Sequence, residues 1–121
     1  MAIASSGAVD HVRANLKRLS ILDYFDVVLG GDGVKHGKPS PDIYLMALDA
    51  LRATPDTCVA VEDSPNGILS ALNAGLKTIA VPNEGFMPPS EILDRCSLVK
   101  MSLTDISAHE VEALFTYNYI S

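Results

Sequence analysis

The sequence predicts an α/β fold, a three-layer arrangement in which helices cover both faces of a parallel sheet. Short strand-like runs alternate with stretches of helical spacing along the whole chain, which is the pattern of a doubly wound sheet. The runs at residues 59–61 and 79–81 are apolar at every position, as expected of parallel strands that are buried on both faces. With 121 residues, the chain is expected to form one domain, residues 1–121.

The composition excludes several classes of function. Hydrophobic residues make up 48% of the chain and charged residues 20%, an ordinary balance for a globular protein. The net charge of -6 argues against binding to nucleic acid or to an anionic membrane surface. No apolar stretch approaches the roughly 20 residues of a membrane span, and no secretory leader is recognisable, so a cytoplasmic location is expected.

The first half of the chain begins with a predicted strand at residues 2–4. A helix follows at residues 9–19, where apolar residues recur at intervals of three and four: Val9, Val12, Leu16 and Leu19. Residues 25–29 are predicted as the second strand. The glycine-rich segment 30–33 ends it, with Asp32 as a turn residue.

The second helix is predicted to begin at a capping sequence. Ser40 is the expected N-cap, Pro41 takes the first helical position, and Asp42 favours the helix dipole. The expected apolar face of this helix contains five residues: Ile43, Leu45, Met46, Leu48 and Leu51.

The second half of the chain repeats this start. Ser64 caps a third helix with Pro65 at its first position, and the helix ends at Ala74 before Gly75. Strands are predicted at residues 59–61, 78–81 and 98–101, and helices at residues 90–95 and 108–119.

Two adjacent carboxylates follow the predicted strand at residues 59–61. Glu62 and Asp63 stand between that strand and a helix start, where they form a hard-oxygen site suited to Mg²⁺, which binds one or two protein carboxylates together with water and phosphate. Local sequence also allows Asp63 merely to favour the helix dipole. Ser64 already supplies the cap, however, and the two acids would repel each other without a cation.

Lys38 is the candidate cation for a phosphoryl group. Its loop contains Pro39 and Pro41, which restrict the backbone and are expected to hold the ammonium in one place. The alternative that local sequence leaves open is a solvated loop lysine.

Ser5 and Ser6 follow the first strand, where hydroxyls and free backbone N–H groups at a helix start form an anion site. Simple helix capping is the alternative. In parallel sheets ligands bind beyond the carboxyl ends of the strands, so this segment, Lys38 and the acidic pair are expected to converge on one edge.

Taken in order, three segments resemble motifs of the haloacid dehalogenase-like (HAD) hydrolase superfamily, in its β-phosphoglucomutase- and phosphoglycolate phosphatase-like branch. Residues 2–7 (Ala-Ile-Ala-Ser-Ser-Gly) are similar to the second motif of that family, and residues 37–42 (Gly-Lys-Pro-Ser-Pro-Asp) to the third. Residues 61–67 (Val-Glu-Asp-Ser-Pro-Asn-Gly) are similar to the fourth.

The resemblance implies a Rossmann-like core and a role for each candidate residue. Ser5 and Lys38 would bind phosphate and take part in catalysis, and Ser6 would add its hydroxyl and backbone to the phosphate site. Glu62 and Asp63 would bind Mg²⁺ as the cofactor.

The chain departs from the family at its first motif. The sequence contains no Asp-x-Asp, the motif that supplies the nucleophilic aspartate, and no helical cap domain of the kind that selects the substrate. The resemblance puts the missing central strand between the strand of Ser5 and the strand of Glu62, so a gap lined by unpaired backbone groups is expected there. The chain is therefore expected to be a truncated C-terminal part of a HAD-like hydrolase core, inactive alone.

Two functions from different classes follow from this. The first is the core of a Mg²⁺-dependent phosphohydrolase or sugar-phosphate mutase that acts, when complete, on a small phosphorylated metabolite. The alternative is a non-catalytic binding or regulatory module that self-associates, or pairs with a partner strand, at the gap. A receiver domain is disfavoured because Lys38 precedes the acidic pair in the chain instead of following it.

Overall fold

Strands and helices alternate along the computed structural model, which describes residues 1–120, with side chains described as far as residue 115. The five strands within these residues are β1 (Ala2–Ala4), β2 (Val27–Leu29), β3 (Val59–Glu62), β4 (Lys77–Ala80) and β5 (Leu98–Val99). The helices are α1 (Val9–Arg18), α2 (Asp42–Leu51), α3 (Pro65–Asn73), α4 (Ser90–Leu93) and α5 (Ala108–Ile120). The predicted order of elements is confirmed, and two strands, β2 and β5, are shorter than expected.

All strand pairs are parallel, which confirms the predicted α/β class. β1 pairs with β2, with Ala2 opposite Val27, and β4 lies between β3 and β5, with Val59 opposite Lys77. Among the described residues, no strand pairs with the second edge of β1 or with the second edge of β3. The strands therefore form two separate groups, β1 with β2 and β3 with β4 and β5.

The starts of the second and third helices differ although their sequences are alike. Ser64 caps α3 as predicted, because its hydroxyl accepts from the Gly67 amide at 3.1 Å. The prediction of Ser40 as N-cap is wrong: α2 begins at Asp42 after Pro41, and none of the described side chains caps it. The Ser40 hydroxyl donates instead to Asp42 Oδ1 at 2.9 Å.

The buried face of α2 agrees only in part with the one predicted. Ile43, Ala47 and Leu48 are buried, whereas Leu45 and Met46 are exposed. Ala47 and Leu48 follow Ile43 by four and five positions, so the three residues lie on one side of a helix with 3.6 residues per turn. Leu45 and Met46 lie on the other side.

The core lies where α3 packs on β3 and β4 and against α2. It includes Leu48, Ala60, Ala71, Ala74 and Leu76. In β4 the expected burial is confirmed, since Ile79 and Ala80 are fully buried.

The prediction of full burial is wrong for β3, where Val61 is 42% exposed. This exposure accompanies the unpaired edge of the same strand. None of the helices within residues 1–120 combines the length and hydropathy required to cross a bilayer.

Candidate active site

Lys38 and Glu62 form an ion pair at the carboxyl ends of β1 and β3. The Lys38 Nζ donates to Glu62 Oε1 at 2.6 Å and to the carbonyl oxygen of Ala4, the last residue of β1, at 3.0 Å. The side chains are 11% and 8% exposed, so this pair is largely shielded from water. An ammonium has three N–H donors, and two are used here, which leaves one for a ligand. Lys38 is therefore not the solvated loop lysine that local sequence allowed.

Tyr44 on α2 completes this cluster. Its hydroxyl donates to Glu62 Oε1, and its ring centroid lies 5.4 Å from Lys38 Nζ, within the range of a cation–π contact. Burial raises the pKa of the Tyr44 phenol, and the negative charge of Glu62 raises it further. The phenol therefore stays protonated and acts as a hydrogen-bond donor.

The Lys38 loop is held against α3 by two side chains. The buried Ser70 hydroxyl donates to the Ser40 carbonyl oxygen at 2.7 Å, and Asn73 Nδ2 donates to the Pro39 carbonyl oxygen at 3.2 Å. Because α3 also carries the cap next to the acidic pair, one helix positions both candidate segments.

The loop after β1 is held by the glycine-rich segment after β2. The Gly31 amide donates to the Gly7 carbonyl oxygen at 2.8 Å, and Asp32 Oδ1 accepts from the Val9 amide, at the first residue of α1, at 3.0 Å. A side chain at Gly31 would overlap the backbone of Ser6, so glycine is required for this approach. The conformation of the loop that contains Ser5 and Ser6 thus depends on the segment that follows β2.

A cavity of about 380 Å³ opens beside these loops. Five of the described residues line it: Ser6, Lys38, Ser64, Pro65 and Asn66. The structure therefore brings Ser6 and Lys38 together at one cavity. Ser5 is not among the lining residues, and its hydroxyl accepts from the Gly7 amide at 3.1 Å.

The two acids differ in their surroundings. Glu62 is buried with Oε1 bound to two donors, and a Cβ at position 67 would overlap its Oε2. Asp63 is exposed and accepts one hydrogen bond, from Asn83 Nδ2 at 3.2 Å, so its oxygens retain acceptor capacity.

These oxygens fit a hard cation such as Mg²⁺. Asp63 would be the accessible ligand and Glu62 a second, more constrained one. Within the described residues there is no cluster of three or more His, Cys, Asp or Glu side chains that could hold a metal.

Sequence reasoning did not identify Tyr44, Ser70, Asn73 or Asn83. For Tyr44 a signal existed, because it precedes Leu48 and Leu51 of the expected apolar face by four and seven positions, the spacing of one helix face. For the other three residues no local signal is apparent, since each contacts a segment that is distant in the sequence.

Comparison with known proteins identifies the family of this chain. The model of the family described as haloacid dehalogenase-like hydrolase matches residues 1–81. The chain belongs to this family. The matched residues include all three segments that resemble its motifs.

One curated relative is hexitol phosphatase A of Escherichia coli, 40% identical over 106 residues, which cover 88% of this chain and 47% of that protein. Among solved structures, CbbY from Rhodobacter sphaeroides in complex with phosphate is 35% identical with a TM-score of 0.75, over 84% of this chain and 45% of that one. The β-phosphoglucomutase of Clostridium difficile is 26% identical with a TM-score of 0.77, over 98% and 48%.

These matches confirm the predicted branch of the HAD-like family, which contains phosphatases and β-phosphoglucomutases. The chain spans less than half the length of the first curated relatives that it matches.

Proposed function

We propose that this chain forms the phosphate- and metal-binding half of a HAD-type phosphohydrolase or sugar-phosphate mutase. A small phosphorylated metabolite of the sugar class is the proposed substrate, in keeping with the names of its relatives. The proposed site consists of five residues: Ser5, Ser6 and Lys38 for phosphate, and Glu62 and Asp63 for Mg²⁺. A cytoplasmic location remains a prediction.

The observation that supports the proposal best is the position of the Lys38 ammonium. It joins the end of β1 to the end of β3 through Ala4 and Glu62, and it lines the cavity together with Ser6. Three separate segments therefore contribute polar groups to one edge, where parallel sheets bind their ligands.

In this arrangement each group has a distinct task. The remaining N–H of Lys38 and the hydroxyls of Ser5 and Ser6 bind phosphoryl oxygens, while Glu62 holds the lysine in place. Asp63, with Glu62 as a second ligand, would hold the cation, and Mg²⁺ bound there would supply positive charge that offsets the charge of the phosphoryl group. By family resemblance an aspartate attacks the phosphorus, and the Asp-x-Asp motif that supplies it is not in this sequence. We therefore expect little or no turnover by these 121 residues alone.

Two measurements on the purified chain test the proposal. Hydrolysis of p-nitrophenyl phosphate with Mg²⁺ should be negligible, and robust hydrolysis that Asp63→Asn abolishes would contradict the expected inactivity. Calorimetric titration with Mn²⁺ should show binding that Asp63→Asn weakens at least tenfold, roughly the loss expected for a metal-site residue.

Titration with inorganic phosphate tests the role of Lys38. Lys38→Met should abolish binding, while Lys35→Met, which removes an exposed lysine of the same loop, should leave it unchanged. Because Lys38→Met alone leaves Glu62 buried without its partner, the double variant Lys38→Met/Glu62→Gln serves as a neutral version of the pair. Phosphate binding by that folded double variant at the affinity of the unmodified chain would refute the role of Lys38.

The unpaired edges of β1 and β3 favour a second candidate, a non-catalytic module that self-associates or accepts a partner strand there. A free edge is a template for strand addition, and the 42% exposed Val61 adds apolar surface next to it. Light scattering at increasing concentration tests self-association. An oligomer that Val61→Lys dissociates and Leu45→Lys does not would support this candidate, since Leu45 is 47% exposed on α2. A strict monomer would contradict the self-associating form.

A further inference from the structure

Tyr44 contacts both charged groups of the Lys38–Glu62 pair, although it lies outside the segments that resemble the family motifs. Its hydroxyl donates to Glu62 Oε1, the same oxygen that Lys38 binds at 2.6 Å. Its ring faces the Lys38 ammonium at 5.4 Å. One side chain thus touches the proposed phosphate ligand and a proposed metal ligand at once.

The Glu62 carboxylate is confined on two sides. Two donors bind Oε1, and Oε2 lies so close to Gly67 that a Cβ there would overlap it. A carboxylate that is 8% exposed and confined in this way has little rotational freedom. Removing the Tyr44 hydroxyl would leave Lys38 as the single described side-chain donor to Oε1.

We propose that Tyr44 is a positioning residue that acts through Glu62: its hydroxyl fixes the carboxylate and thereby sets the affinity of this edge for a divalent cation. The inference rests on the proposed function, because it assumes that the acidic pair binds a metal. Groups that orient metal ligands typically change metal affinity by roughly 10- to 100-fold when they are removed. The same donor also helps to keep the Lys38 ammonium beside Glu62.

The test uses the complete 121-residue chain and Mn²⁺ as the probe. Tyr44→Phe removes only the hydroxyl and keeps the ring over Lys38. The matched control is Tyr24→Phe, since Tyr24 is 68% exposed. We expect Tyr44→Phe to weaken Mn²⁺ binding by roughly 10-fold or more and Tyr24→Phe to leave it unchanged.

The Glu62→Gln background shows whether Tyr44 acts through Glu62. In that background Tyr44→Phe should cause no further loss of Mn²⁺ affinity. An equal loss of Mn²⁺ affinity from Tyr44→Phe in the Glu62→Gln background and in the unmodified chain would overturn the inference. So would a Mn²⁺ affinity of Tyr44→Phe within twofold of that of the unmodified chain. Either result would leave the proposed function in place.

A spectroscopic readout separates the inference from the metal site. A phenol proton held on a buried carboxylate exchanges slowly with water and gives its own downfield proton resonance, which Tyr44→Phe assigns by removing it. Glu62→Gln should move this resonance, because the charged acceptor is lost. If the chain binds no Mn²⁺, the metal part of the proposed function fails. The resonance then decides whether Tyr44 holds Glu62: a resonance that Glu62→Gln leaves in place overturns the inference, and a displaced one supports the positioning contact.

Discussion

Replacing Gly67 by alanine tests how tightly the Glu62 carboxylate is seated against α3. The new Cβ would overlap Oε2 and lie 2.9 Å from Oε1, closer than the 3.0 Å that real Cβ atoms respect. An ordinary contact is about 3.5–4 Å, so the carboxylate must retreat by roughly 1 Å or more. Because both oxygens belong to one rigid group, this retreat also lengthens the hydrogen bonds from Lys38 and Tyr44.

The expected cost combines two opposing effects. Leaving one member of a buried ion pair without its partner costs about 3–5 kcal/mol. The higher helix propensity of alanine stabilises the helix by at most about 1 kcal/mol relative to glycine. Since Lys38 keeps its hydrogen bond to the Ala4 carbonyl and the pair is stretched and not removed, we expect the free energy of unfolding to fall by about 2–3 kcal/mol.

Urea denaturation followed by circular dichroism measures this loss. Gly33→Ala is the matched control, because no described atom lies within 4 Å of a Cβ at position 33. If Gly67→Ala unfolds at the same urea concentration as the unmodified chain and as Gly33→Ala, the carboxylate moves freely and the reasoning is refuted.

Two further predictions concern the first helix and alkaline pH. Asp32→Ala removes the acceptor of the Val9 amide, so the free energy of unfolding should fall by about 1 kcal/mol. The control Asp23→Ala, at an exposed aspartate, should change it little. Equal effects of the two substitutions in thermal denaturation would contradict this prediction. The pKa of Tyr44 is raised above its ordinary value of 10.0 by burial and a neighbouring carboxylate. The contribution of this phenol to the free energy of unfolding is therefore complete below pH 10. It is lost as the pH rises further, because the unfolded chain then releases the proton first. Tyr44→Phe should flatten the fall in stability above pH 10 and Tyr24→Phe should not; parallel curves for both variants would argue against a buried phenol.

Local sequence predicted helix ends well where the capping residue makes only local hydrogen bonds. Ser64 caps α3, and Gly75 ends it with a φ of +85°, as the pattern indicated. Ser40 has the same local context, but its carbonyl accepts from Ser70, 30 positions away, and its hydroxyl donates to Asp42. The Ser40 carbonyl thus takes part in a tertiary contact that no local pattern records.

The candidate site shows the same division. Local sequence left a solvated Lys38 open, and the partners that bury it, Ala4 and Glu62, are 34 and 24 positions away. Convergence of these segments was predictable from the parallel topology, because carboxyl ends share one edge. The contribution of Tyr44 was not predicted, because the expected apolar face of α2 included Leu45 and Met46, which are exposed, and left out Tyr44.

The unpaired edges of β1 and β3 have a consequence for amide hydrogen exchange. In a parallel strand the backbone groups point alternately to its two sides, and a neighbour protects only the amides that face it. β4 has neighbours on both sides and should exchange slowly along its length, whereas β1 and β3 should show protection at every second residue. Any strand that fills the space would abolish this alternation, so exchange rates would identify the edge it occupies, residue by residue.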